Sequence, residues 1–151
     1  MDRMKMMLVD DEERFLSTTS KLLSRKGYDV ATASSGSEAL EQLRTNRAHV
    51  VILDVKMPGM DGIATLKAIK RQYPMIEVIM LTGHATVESA VEGLQSGATD
   101  YLMKPADIDS LIAKAEKAFS KRCELEERIR VARVRMVSKS PREIIQDSEK
   151  A

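Results

Sequence analysis

Short apolar runs alternate with segments of helical periodicity along most of the chain. Each helical segment follows a run and carries apolar residues at helical spacing. Gly27 and Gly97 stand where the first and the fourth helices should end, and Ser35 is expected to cap the second. The runs with the length and composition of buried strands are MKMMLVD, YDVATA, HVVILD, IEVIMLT and TDYLMK.

The repeated order of strand and helix predicts a doubly wound α/β fold with one parallel sheet. The middle strands are continuously apolar, as expected where helices cover both faces of a sheet. The pattern does not choose between the two common strand orders, but in either order ligands bind beyond the carboxyl ends of the strands. The inward face of the first helix is predicted to comprise Phe15, Leu16, Thr19, Leu22 and Leu23.

The composition is that of a globular protein with one domain and a short appendage. The chain has 151 residues, of which 43% are hydrophobic and 31% charged, and a net charge of +1 that predicts no polyanionic partner. Cys123 is the single cysteine, so no intrachain disulfide can form. The sequence has neither a signal peptide nor the roughly 18 consecutive apolar residues of a membrane span, and we expect a cytoplasmic protein.

Polar side chains stand at the carboxyl ends of four predicted strands. Asp10 and Asp11 end the first, Asp54 the third, Thr82 the fourth and Lys104 the fifth. Topology places them on one rim, where the carboxylates repel one another and one lysine balances only part of their charge. A divalent cation fits the remainder. Because the ligands are oxygens, without a cluster of His or Cys, the expected metal is Mg²⁺ and not Zn²⁺.

A metal, a lysine, a hydroxyl and a carboxylate together favour phosphoryl transfer, in which the carboxylate becomes an acyl phosphate. The stretch VILDVKMPGMDG, residues 51–62, carries an apolar strand to Asp54 and then breaks at Pro58 and Gly59. This turn is expected to leave space above Asp54 for the metal and the phosphodonor.

These motifs resemble the receiver domain of bacterial two-component response regulators. LVDDEE resembles its acidic pair, VILDVKMPGMDG its phosphoacceptor strand, VIMLTG its hydroxyl strand and GATDYLMKP its lysine strand. The resemblance covers residues 4 to about 120 and implies a flavodoxin-like sheet of strand order 2-1-3-4-5. The segment after Thr82 looks most like receivers that precede a nitrogen-regulation-type ATPase module, and a stand-alone receiver is the other interpretation.

The resemblance also implies roles for individual residues. Asp54 would accept the phosphoryl group. Asp11, Asp54 and the backbone carbonyl of Lys56 would bind Mg²⁺ directly, and Asp10 would hold the metal through water. The peptide between Lys104 and the proline that follows it would be cis, as in the family.

Further roles follow from the same resemblance. Lys104 would bind the phosphoryl group, Thr82 would move toward it, and Tyr101 would follow inward as the switch. Lys56 and His84 would border the route of the hydrolytic water and so set the lifetime of the phosphoryl group.

The function predicted from these features is a signalling switch phosphorylated by a sensor histidine kinase or a phosphotransfer protein. No enzymatic activity is expected beyond self-catalysed transfer to Asp54 and autodephosphorylation. An aspartyl-phosphate phosphatase of the haloacid-dehalogenase type is the alternative. That class has a second acid two residues after its nucleophile, where this chain has Lys56, and its nucleophile is on the first strand. A pseudo-receiver scaffold that works without phosphate is disfavoured by the complete acidic site.

The predicted domains are a receiver at 1–120 and a helical extension or linker with a flexible tail at 121–151. The last helix should run from Asp107 to about Val137, since no Gly or Pro interrupts it before Pro141. Steps of four and three residues along it form a stripe typical of a coiled-coil seam, interrupted by Arg122, and predict a weak homodimer. The stripe comprises Leu111, Ala115, Ala118, Arg122, Leu125, Ile129, Ala132 and Met136.

Six basic residues and no acid lie between Arg128 and Arg142. No aromatic residue stands among them for base stacking. We therefore interpret this segment as a solvated helix face, and nucleic-acid binding by the chain itself is not expected.

Overall fold

The computed structural model describes residues 3–55, 61–83 and 87–138. Within these ranges every predicted strand and helix is present, and the ends differ by a few residues at most. The strands are β1 (Lys5–Val9), β2 (Asp29–Ala33), β3 (Val50–Asp54), β4 (Glu77–Thr82) and β5 (Asp100–Met103). The helices are α1 (Glu13–Arg25), α2 (Gly36–Leu43), α3 (Gly62–Gln72), α4 (Val87–Gln95) and α5 (Ile108–Ser138).

The strands form one parallel sheet in the order β2-β1-β3-β4-β5, which confirms the order that the resemblance implied. The direction of strand succession reverses at β1, which lies between β2 and β3. Val9 is level with Leu53 across this junction, so the residues that follow them end side by side. Such a reversal point is where open α/β sheets form a ligand crevice.

Two apolar clusters cover the faces of the sheet. Alternation along β1 sends Met7 and Val9 to one cluster and Met6 and Leu8 to the other. The first cluster includes the inward residues of α2 and α3, and the second includes those of α1 and the first turns of α5. The sheet is therefore buried on both sides, which explains why β3 has no exposed position.

The inward face of α1 is narrower than predicted. Leu16, Thr19 and Leu23 are buried, but Phe15 is half-buried and Leu22 is 40% exposed. At 3.6 residues per turn, Leu22 lies roughly a quarter turn from the centre of the buried stripe. The prediction that Leu22 faces inward was wrong.

The predicted helix ends are confirmed. The Ser35 hydroxyl accepts the Glu38 N–H at 3.1 Å, and the Glu38 carboxylate accepts the Ser34 N–H at 2.9 Å. Gly27 and Gly97 follow α1 and α4 with φ of 93° and 109°, a backbone region that favours glycine.

Helix α5 has 31 residues, close to the predicted run from Asp107 to Val137. The residues up to Phe119 form one compact unit and those from Ser120 a second. In the first unit, the stripe of α5 buries Leu111, Ala115 and Ala118. In the second, Arg122 is buried and pairs with Glu126 at 2.8 Å, and the stripe's remaining apolar side chains, Leu125, Ile129, Ala132 and Met136, are exposed.

Among the described helices, none combines the length and the apolar composition that crossing a bilayer requires.

Candidate functional site

The strands bring the predicted polar residues to one edge of the sheet. Asp10 directly follows β1, Asp54 is the last residue of β3, Thr82 is the last of β4 and Lys104 directly follows β5. All are at the carboxyl ends of parallel strands, as predicted from the sequence. The site therefore depends on four strands that are far apart in the chain.

Three carboxylates converge at the β1–β3 junction. One oxygen each of Asp10, Asp11 and Asp54 lies within 4.8 Å of the others. Asp10 and Asp54 are buried, whereas Asp11 is exposed. This oxygen-only donor set, with one ligand open to solvent, fits a hard divalent cation that keeps several waters.

Lys104 supplies positive charge to this cluster. Its Nζ lies 2.5 Å from Oδ2 of Asp10 and 3.6 Å from Oε1 of Glu12. Burial lowers the pKa of Lys104, but the hydrogen bond and charge of Asp10, with the charges of Asp54 and Glu12, outweigh burial and raise this pKa overall. Lys104 is therefore positively charged at neutral pH.

The two oxygens of Asp10 have different partners. Oδ2 binds Lys104, and Oδ1 accepts the backbone N–H of Glu12 at 2.9 Å. The Asp10 N–H donates to the carbonyl of Ala33 at 3.1 Å, which ties the residue to the end of β2. These bonds fix the orientation of a carboxylate that is only 1% exposed.

Two neighbours of Lys104 were missed as site residues by the sequence reasoning. Glu12 lies on its solvent side, and the ring of Phe15 faces Nζ, with 4.4 Å from Nζ to the ring centroid. Phe15 had been interpreted only as a core position of α1. The acidic run after Asp10 was a signal for Glu12, but no local pattern links Phe15 to a lysine 89 positions away.

Helix α3 begins at Gly62, whose N–H donates to the carbonyl of Val55 at 2.9 Å. A Cβ at Gly62 would lie 2.3 Å from the Asp54 carbonyl oxygen and 2.5 Å from Cα of Val55, so no other residue fits without backbone movement. Asp61 caps the helix by accepting the N–H of Ala64 at 2.7 Å. Between Val55 and Asp61, the predicted metal ligand Lys56 and the turn at Pro58 and Gly59 lie outside the described residues.

Thr82 and Tyr101, the predicted switch residues, lie on neighbouring strands. Thr82 is buried, and its carbonyl accepts the N–H of Lys104 at 2.8 Å, which joins the ends of β4 and β5. The Tyr101 ring packs on the first apolar cluster, and its buried hydroxyl has no hydrogen-bond partner among the described residues.

The Lys104–Pro105 peptide is cis, as the resemblance implied. His84 lies outside the described residues.

Comparison with known proteins agrees with this arrangement. Residues 6–116 match the model of the response regulator receiver domain family. Over 119 residues, 79% of the chain, 47% of positions are identical to the transcriptional regulatory protein ZraR of Escherichia coli K12. Over 113 residues, 75% of the chain, 42% are identical to the DNA-binding transcriptional regulator NtrC of Klebsiella pneumoniae. The matches cover 27% of ZraR and 24% of NtrC, so the chain spans about a quarter of these relatives.

Solved structures give the same result at the level of the fold. A CheY-like response regulator receiver domain protein from Methanospirillum hungatei JF-1 superposes with a TM-score of 0.78 at 28% identity, over 82% of this chain and 98% of that one. The receiver domain of NtrX from Brucella abortus superposes with a TM-score of 0.72 at 35% identity, over 76% and 98% of the two chains. The family model covers well over half of the sequence, and the chain therefore belongs to the response regulator receiver domain family.

Proposed function

We propose that this receiver is a signalling switch in which Asp54 accepts a phosphoryl group from a phosphohistidine of a sensor kinase or a phosphotransfer protein. Three clustered carboxylates beside one half-buried lysine carry the proposal. Such a cluster is costly to maintain for packing alone, because each buried carboxylate needs compensation for lost hydration. Family membership supports phosphorylation-based signalling in general.

The reaction follows from the chemistry of the carboxylate. An oxygen of Asp54 attacks phosphorus, the P–N bond of the phosphohistidine breaks, and the imidazole leaves with the electron pair and takes up a proton. Before the reaction, the Lys104 ammonium lies 2.5 Å from Asp10. During the reaction it also binds an oxygen of the phosphoryl group, and its contact with Asp10 weakens. The product is an acyl phosphate on Asp54.

We assign Mg²⁺ to the acidic cluster. Asp11, Asp54 and the backbone carbonyl of Lys56 are the proposed direct ligands, and Asp10 is the proposed ligand through water. When bound, the ion neutralises charge on the oxygens of the transferred group. Asp10 holds the ammonium of Lys104 beside the cluster, where it would add positive charge near the transferred group.

The acceptor is tested by intact mass after treatment with acetyl phosphate. We expect the wild-type chain to gain one phosphoryl group in Mg²⁺ and none when the metal is chelated. Asp54→Asn is nearly isosteric but lacks the nucleophile, so it should gain none in either condition. An equal gain in both proteins would show that the acceptor is another residue, and no gain by the wild type would favour a scaffold that works without phosphate.

We propose that Thr82 and Tyr101 report the state of Asp54. The Thr82 hydroxyl moves toward the phosphoryl group, and Tyr101 settles inward into the space that this movement leaves. The absence of a described partner for the buried Tyr101 hydroxyl supports this proposal, because a buried polar atom without a fixed bond can change position at little cost.

Thr82→Ala separates the switch from the chemistry. It should still be phosphorylated, since the nucleophile and Lys104 are unchanged, but its backbone amide spectrum should shift much less on phosphorylation than that of the wild type. A full wild-type change in Thr82→Ala would contradict the coupling.

Lys56 and His84 are the proposed determinants of phosphoryl lifetime. They stand two positions after Asp54 and Thr82 in the sequence, and in the family resemblance these positions border the route of the hydrolytic water. Rates of phosphate loss from Lys56→Ala and His84→Ala test this role, and unchanged rates in both would remove it.

The wider setting is also a proposal. The relatives ZraR and NtrC carry the names of transcriptional regulators, and the matched part is about a quarter of each. We propose a cytoplasmic receiver at 1–120 that controls the output of such a regulator, or acts alone, with 121–151 as a helical linker. Transfer of label from candidate phosphohistidine proteins to Asp54 would identify the donor.

A further inference from the structure

Lys104 lies between two carboxylates of opposite exposure. Asp10, on the site side, is 1% exposed, whereas the side chain of Glu12 is 67% exposed. The ammonium is 2.5 Å from the first and 3.6 Å from the second. The ammonium can pair with either carboxylate, but only pairing with Asp10 keeps its charge beside Asp54.

The ring of Phe15 also contacts the ammonium. Nζ lies over its face, 4.4 Å from the centroid, well within the range of a cation–π contact. Phe15 projects from the first turn of α1 and packs on the same apolar cluster as Leu16 and Leu111, so its ring is supported by the core. The ring face offers the ammonium a favourable surface that needs no water.

We propose that Phe15 is a positioning residue for phosphoryl transfer, which holds the ammonium of Lys104 closer to Asp10 than to Glu12. It does this through the negative face of its ring, so an aromatic side chain is required at this position and an aliphatic one of similar volume is not sufficient. This inference rests on the proposed phosphorylation of Asp54 only for its kinetic consequence. The position of the ammonium itself does not depend on it.

The kinetic test compares Phe15→Leu, Phe15→Met and Phe15→Trp with acetyl phosphate as donor and saturating Mg²⁺. Phe119→Leu is the matched control: Phe119 is half-buried in the same cluster, but its ring contacts His49, with 5.0 Å between ring centroids. We expect Phe15→Leu and Phe15→Met to be phosphorylated about threefold to tenfold more slowly than the wild type, the order of effect of a partly buried cation–π contact. Phe15→Trp should keep most of the wild-type rate, and Phe119→Leu all of it.

A second measurement uses the metal-free, unphosphorylated chain. When the ammonium is held, the two ε-methylene protons of Lys104 are inequivalent and shifted upfield by the ring, which a lysine-selective carbon–proton spectrum resolves. In Phe15→Leu they should become equivalent, and in Phe15→Trp they should stay distinct. Phe119→Leu should leave them unchanged.

The outcomes separate the inference from the proposed function. Failure of the wild type to take up phosphate refutes the proposed function, and the lysine spectrum then still decides the position of the ammonium. A wild type that is phosphorylated no faster than Phe15→Leu refutes the role of Phe15. The role is also refuted if the methylene protons stay distinct in Phe15→Leu, or if Phe15→Trp is slowed as much as the aliphatic variants. Should one aliphatic variant fail to fold, the other carries the comparison.

Discussion

Asp10 shows how strongly one position depends on its partners. Its carboxylate is nearly inaccessible to water, and burial of an unpaired charge would cost several kcal/mol. Lys104 and the N–H of Glu12 compensate for this cost, one at each oxygen. Asp11, the next residue, is exposed and needs no such compensation. Two neighbouring aspartates therefore differ in electrostatic role. We expect the Asp11 carboxylate to change position more easily than that of Asp10 when a metal binds.

Gly62 leaves no room for a side chain beside the end of β3. Gly62→Ala places a methyl group against the backbone of Asp54 and Val55, neither of which has a flexible end that can give way. We expect a loss of about 1–3 kcal/mol in the free energy of unfolding, measured by urea titration.

Gly93→Ala is the control for this prediction. Its new Cβ would meet only side-chain atoms, the nearest at 3.4 Å, an ordinary contact. Because Gly93 is inside α4, alanine should leave stability unchanged or raise it by up to about 1 kcal/mol. Similar losses in both variants would show that the contact at Gly62 relaxes easily.

At the scale of elements, an ion pair at the amino end of β5 joins this strand to α5. Lys114 binds Asp100 at 2.9 Å, and the second oxygen of Asp100 accepts the Tyr101 N–H at 2.7 Å. Burial raises the pKa of Asp100, but the Lys114 hydrogen bond, the Tyr101 amide and the charges of Lys114 and Lys117 outweigh burial and lower this pKa overall. β5 is a short edge strand beside β4, and this ion pair adds a contact from α5.

This pair predicts a pH dependence of stability. A carboxylate whose pKa is lowered on folding stabilises the folded state at pH values above its ordinary pKa, near 4, and the contribution is lost as the pH falls through the folded-state value. Asp100→Asn keeps the bond to the Tyr101 amide but removes the charge. At pH 7 we expect a loss below about 1 kcal/mol, since both side chains are about one-third exposed, and at pH 3 a smaller loss or none.

Urea unfolding of the two proteins at both pH values measures this difference. Asp29→Asn is the control, because it removes an exposed carboxylate for which no ion pair is found in the described part of the chain. It should show less change at pH 7. A loss in Asp100→Asn that does not diminish in acid would mean that the charge pair is not its cause.

At the scale of the whole molecule, the second unit carries apolar residues that its own helix leaves in water. Leu125 and Ile129 are exposed, followed along the same stripe by Ala132 and Met136. A second copy offers the same stripe, and two-fold pairing is the commonest closed assembly. The stripe is short and includes alanine, so we expect a weak dimer that forms only at high micromolar concentration.

Sedimentation at several concentrations tests this prediction in the full chain. Leu125→Glu with Ile129→Glu should abolish self-association by placing charge in the seam. Arg130→Glu with Val134→Glu places two glutamates on exposed positions on the opposite side of the helix and should have a smaller effect. A wild type that stays monomeric throughout, with and without phosphate, would refute the dimer.

The basic residues of the same unit remain interpreted as a solvated face. Arg130 is largely exposed and pairs with Glu127 at 2.6 Å. Such exposed pairs contribute little to stability and are common on solvated helices. The nucleic-acid interpretation therefore gains nothing from the described part of this segment.

The sequence by itself determined the order of elements, the parallel sheet and the edge at which the site lies. These follow from local rules, since apolar runs, helical spacing and capping residues act within a few positions of one another. The polar residues at the strand ends were predicted because every parallel strand ends at the same edge. The strand order followed from resemblance, because several orders bury the same apolar faces.

Only the tertiary structure decided the contacts between distant segments. It buried Asp10 and left Asp11 in water, placed the Phe15 ring over Lys104, and required glycine at position 62. It also exposed Leu22, which the pattern had placed inside. Each outcome depends on distances of a few ångströms between different elements, whether consecutive, as at Gly62, or far apart in the chain, as at Phe15 and Lys104. Hydrophobic periodicity indicates the buried face of an element, but it fixes neither how wide that face is nor which side chain of a neighbouring element it meets.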